Sequence, residues 1–131
     1  MDISEAMLKH YLGYLTVSYF GRQDLAPDQL AGYDDAVEQM RLAAVAHDDL
    51  EPIRLGFDYL LSRDDVDLTD FDGGYYPYDA GEVREIIRYA RSVIWPDVPA
   101  ASSAELGEVR LVTMSTSDWW SSRGEHAGGD H

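Results

Sequence analysis

Seven carboxylates and three tyrosines fall within residues 64–82, DDVDLTDFDGGYYPYDAGE, a stretch with no Lys or Arg. Carboxylates at this density can hold a cation, work as general acids and bases, or pair with basic groups on another molecule. A calcium loop with Gly73 at its sixth position would begin on Leu68, which has no ligand to offer, and would contain Pro77, so the usual ligand spacing fails. A catalytic carboxylic acid needs burial to raise its pKa, and a stretch so rich in Asp reads as solvated. Docking remains. Tyrosine presents a rigid face with a polar tip at low entropic cost, which suits it to contact sites. Asp64, Asp65, Asp67, Asp70 and Asp72, with Tyr75, Tyr76 and Tyr78 around Pro77, are therefore expected to meet a basic partner. Asp79 and Glu82 have the D-x-x-E spacing of a capping box and are expected to start a helix instead.

The elements that must hold this stretch are helical by pattern. Ile3, Met7, Leu8, Tyr11, Leu12 and Leu15 follow a 3.6-residue period behind an Asp2–Glu5 capping box. Leu15–Phe20 reads as either the last helical turns or a short strand. A second helix is expected over 27–46, from Pro27 to Ala46, with Met40 as core filler and His47 at its end. Asp48-Asp49-Leu50-Glu51 offers another capping box, ahead of a helix ending near Ser62 or Arg63. Gly56 within that helix marks close approach of a neighbour. Val83, Ile86, Ile87, Ala90, Val93 and Ile94 line a fourth helix, stopped by Pro96.

Val98–Ser103 reads as a linker. Glu108–Met114 is a strand or a short helix; as a strand it needs a partner, and Leu15–Phe20 is the obvious one. Past Ser115 the chain is polar apart from Trp119 and Trp120. The expectation is a mainly α protein, a small four-helix bundle with a short C-terminal strand or extra helix. It forms one domain over 1–120, followed by a disordered tail over 121–131.

Composition narrows the partner. The 131 residues hold 25 Asp and Glu against 10 Lys and Arg, a net charge of −15, and no cysteine. Such a chain repels nucleic acid and anionic membrane surfaces and attracts basic proteins. Without a signal-like N-terminus or a long apolar run, the expected location is the cytoplasm. No nucleophile elbow, phosphate loop or metal spacing occurs, and the four histidines lack a common spacing, so neither an enzyme nor a cofactor is expected.

Thr69-Asp70, Tyr75-Tyr76-Pro77 and the helix opening Gly81-Glu82-Val83-Arg84-Glu85-Ile86 together resemble the colicin-type nuclease immunity proteins, bacterial toxin inhibitors. The resemblance covers Thr69 to Arg91. It implies a four-helix bundle that binds a basic nuclease toxin beside its active site, with Tyr75 and Tyr76 as anchors and Asp70 and Asp72 near the contact. Gly73-Gly74 stands where the family has an apolar pair, and the EVRLVTM and SDWW segments have no counterpart. The expected function is thus neutralisation of a basic toxin by occlusion. Two alternatives belong to other classes: a nucleic acid mimic with phosphate-like acid spacing, and a ligand-binding or enzymatic domain with a pocket under the tyrosines.

Overall fold

The computed structural model describes residues 2–16, 30–63, 66–71 and 78–127, with the backbone alone for 30, 31 and 122–127. It is mainly helical. In order come strand β1 (Asp2–Ser4), α1 (Glu5–Thr16), a 3-10 turn (Leu30–Tyr33) and α2 (Asp34–Ala46). Then follow α3 (Leu50–Ser62), a second 3-10 turn (Leu68–Phe71), α4 (Ala80–Ile94), α5 (Ser103–Gly107), β2 (Arg110–Val112) and α6 (Thr116–Ala127). Helices α1 to α4 are the expected bundle: α1 lies on α2, α2 on α4 and α4 on α3. The apolar stripes close into one core that takes Met7, Leu8, Met40, Phe57 and Ile87 fully out of solvent. None of the described helices is long and apolar enough to cross a membrane.

Gly56 has the expected role. A Cβ built there would lie 2.6 and 2.9 Å from the Leu8 methyls, so its hydrogen lets α3 close onto α1. The α2–α3 corner uses a different device. The Asp49 amide donates to Ala44 O at 2.8 Å and the Asp48 amide to Val45 O at 3.2 Å, with Asp48 left-handed at φ 57°. That is a Schellman ending, with Asp where Gly is preferred. Asp48→Gly should therefore raise the unfolding free energy by about 0.5–1 kcal/mol, seen as a higher urea midpoint at unchanged slope.

The two ends of the chain differ from the sequence expectation. Helix α1 starts at Glu5, and its first turn is capped by Ser4, whose Oγ accepts from the Met7 amide at 3.1 Å. Asp2 is in β1 instead, paired in parallel register with Arg110, as Ile3 is with Leu111 and Ser4 with Val112. So β2 finds its partner in residues 2–4 rather than in Leu15–Phe20, where Leu15 and Thr16 are helical and 17–20 lie outside the described residues. Burial decides this: Ile3, fully buried, is worth more facing the core beside a strand than on an extra helical turn. At the other end the chain is helical to Ala127, past the expected domain end at 120.

Candidate functional site

The acidic stretch is anchored on both sides by contacts that its local sequence does not announce. Arg84 of α4 donates to Leu61 O at 2.9 Å and to Arg63 O at 3.2 Å, satisfying carbonyls at the end of α3 that no helical turn can reach. Leu68 and Phe71 of the second 3-10 turn are buried against α4, and the Lys9 ammonium of α1 sits 5.4 Å over the Phe71 ring. Downstream, Asp79 and Glu82 form the expected capping box. The Glu82 amide donates to Asp79 Oδ1 at 2.7 Å, and the Asp79 amide to Glu82 Oε1 at 3.1 Å.

Of the expected contact residues, Asp67 and Asp70 are exposed on this turn. Asp67 accepts from the Thr69 hydroxyl at 2.6 Å and the Thr69 amide at 3.1 Å, bonds that hold its carboxyl below the usual carboxylate range. Asp64, Asp65, Asp72, Tyr75 and Tyr76 lie outside the described residues. Tyr78 is a correction. It is 5 % exposed and its hydroxyl lies 2.5 Å from that of Tyr33, so it is an anchor of the loop rather than part of its outer face. A phenol whose ring completes the core and whose hydroxyl finds a buried partner gains more inside than on a surface.

Two clusters that pattern reading did not single out complete the polar architecture. Arg91 on α4 is buried and forms a fork with Asp58 of α3, Nε to Oδ1 at 2.7 Å and Nη2 to Oδ2 at 3.3 Å. It also donates to Trp95 O, Val98 O and Pro99 O at 2.9 to 3.1 Å, while Asp58 Oδ2 accepts from the Ala101 amide at 2.9 Å. The 98–103 segment expected as a linker is thus tied to the bundle. The second cluster surrounds Asp49. Its carboxylate is fully buried and, rather than capping α3, accepts from the Tyr11 hydroxyl and both indoles of the Trp119-Trp120 pair. The one signal in the sequence was that pair of large apolar residues in an otherwise polar segment.

The described residues form open grooves, two of which are well defined. One, about 340 Å³, is lined by Glu51, Arg54, Trp95, Glu105 and residues 98–101. The other, about 280 Å³, lies between Glu5, Ala6 and Lys9 and residues 113–115. Neither is lined by the 64–82 stretch. Among the described residues no three His, Asp or Glu side chains are grouped to hold a metal ion. No family model, curated protein or solved structure matches the chain.

Proposed function

We propose that this chain is an immunity-type inhibitor: a cytoplasmic acidic protein that binds a basic protein toxin, a nuclease, and neutralises it by occlusion without chemistry of its own. What supports the reading most is how the cations are used. Every described Lys and Arg side chain has a partner within the fold. Lys9 pairs with Glu5, Arg41 with Glu38, Arg54 with Glu51, Arg88 with Glu85, Arg91 with Asp58 and Arg110 with Asp2. Arg84 is taken up by the carbonyls of Leu61 and Arg63, and Arg63 lies over the Tyr59 ring. With 25 acids to 10 bases, these local pairings leave a surplus of negative charge over the rest of the surface. A field of that sign steers a basic partner and speeds its encounter.

The contact site is the 64–77 segment, with Asp67 and Asp70 on its ordered turn and Tyr75 and Tyr76 as the anchors. Asp79, Glu82 and Tyr78 serve the scaffold. Co-expression with a panel of basic nuclease toxins tests the reading: one of them should lose its toxicity, and its association rate should fall steeply as salt rises. For that pair, Tyr75→Ala with Tyr76→Ala should weaken binding by about 30-fold or more, the effect of at least one hot-spot side chain. Unchanged affinity in that double variant would remove the loop from the interface.

A further inference from the structure

The groove of about 340 Å³ beside α3 has no part in the proposed contact, yet its walls are firmly built. Part of its lining is the 95–101 segment. The Trp95, Val98 and Pro99 carbonyls accept from Arg91, and the Ala101 amide donates to Asp58. A wall fastened at four backbone groups already has its shape, so a ligand spends nothing on ordering it. The volume lies at the small end of ligand sites, room for one long side chain and a little backbone.

The charges that line the groove do not balance. Arg54 Nη2 lies 2.5 Å from Glu51 Oε1 and 3.6 Å from Glu105 Oε2, one guanidinium shared by two carboxylates. Asp58, 3.8 Å from the same guanidinium, already has Arg91. Among the described residues one negative charge is therefore left over. It faces outward: the Arg54 side chain is 11 % exposed, against 61 % for Glu51 and 53 % for Glu105. Such a rim prefers a cation, and the net charge of −15 draws one in while keeping anions away.

Two further features give the cation a body. Val98, Pro99 and Ala100 are exposed, and an aliphatic stem can lie along them while its charged head reaches the carboxylates. Trp95 also lines the groove and brings an indole donor. Trp119 and Trp120 both give their N–H to Asp49, whereas among the described residues the Trp95 N–H meets no acceptor. A peptide carbonyl would satisfy it, and a simple amine has none to offer.

We infer that this groove is a second docking site, for an extended basic segment of a partner protein. One arginine or lysine stem lies along Val98 and Pro99, with its head between Glu51 and Glu105. The inference does not rest on the 64–77 contact, since no residue of that segment lines the groove.

The probe is a five-residue peptide, acetylated and amidated, with two arginines set between alanines. It is titrated at about 0.15 M salt into the whole chain labelled with 5-fluorotryptophan and followed by fluorine NMR. The Trp95 resonance should move while those of Trp119 and Trp120 stay, and the same peptide with citrulline for arginine should move none of them. Glu51→Gln with Glu105→Gln should weaken binding about tenfold, the loss of two partly exposed charge pairs. Glu38→Gln with Glu85→Gln makes the same change in net charge on α2 and α4 and should leave affinity unaltered. Arg54→Gln should tighten binding about threefold by releasing both carboxylates, a gain that misfolding cannot produce, and Arg41→Gln, matched in charge, should not. The site is overturned if Trp95 ignores the arginine peptide or answers the citrulline one equally. Equal weakening by the two glutamine pairs would also overturn it, by reducing the attraction to net charge alone.

Discussion

Replacing Arg91 by methionine should lower the unfolding free energy by about 3–5 kcal/mol, the usual result of leaving one member of a buried ion pair alone. Asp58 is 5 % exposed, and among the described residues its charge without the guanidinium keeps the Ala101 amide and a long contact to Arg54 at 3.8 Å. An apolar substitution of both partners often restores stability at buried pairs. Here Asp58→Leu with Arg91→Met should not, because the Trp95, Val98 and Pro99 carbonyls lose their common donor and the Ala101 amide its acceptor. Urea unfolding of both single variants and the double variant checks this. A double variant as stable as the parent would mean that the 98–103 segment does not need its tie.

The second large effect lies at Gly56. Valine there would set its Cβ within 3 Å of the Leu8 methyls, and Leu8 is fully buried. Overpacking of this kind costs about 1–3 kcal/mol, and Val gains less from helix propensity than Ala, so a loss of about 2–3 kcal/mol is expected. Gly56→Ala should lose about half as much, since roughly 1 kcal/mol of propensity works in its favour. Leu8→Ala removes the obstructing methyls. It should cost less in the Gly56→Val background than alone, a coupling that a double-mutant cycle by thermal unfolding would measure.

Three copies of one local pattern show where sequence reading stops. Asp2–Glu5, Asp48–Glu51 and Asp79–Glu82 all have the D-x-x-E spacing of a helix start. At Asp79 nothing else competes, and the pattern yields its capping box. Asp2 sits beside Ile3, whose burial draws the segment into a strand against β2, and its carboxylate turns to Arg110. Behind Asp48, a left-handed corner aims Asp49 inward, where Tyr11 and two indoles from some 70 residues away outbid a single backbone amide. A helical period of four or five turns is a local quantity, so the four bundle helices and the close approach at Gly56 were legible. Which partner a short polar side chain takes is settled by tertiary neighbours that no window contains.

The same limit applies to the candidate site. The exposure of Asp67 and Asp70 was legible because acids and turn residues surround them. The burial of Tyr78 was not, since it depends on Tyr33 of the 3-10 turn before α2. The Trp119-Trp120 pair stood out but had no visible destination, and nothing in the apolar period of α4 marks Arg91 as an arginine that goes inside.

The pairing of β1 with β2 also sets an order of events in folding. Asp2 and Arg110 are 108 positions apart, and closing a loop of that length costs about 4 kcal/mol of chain entropy by the logarithmic rule. Three residues of ladder and a water-exposed ion pair cannot offset that alone. The helices between them must first condense and bring residues 2 and 110 within reach, after which closure costs little. The two strands therefore assemble late, on a bundle already formed. Mutations that loosen them should quicken unfolding while leaving the folding rate nearly untouched.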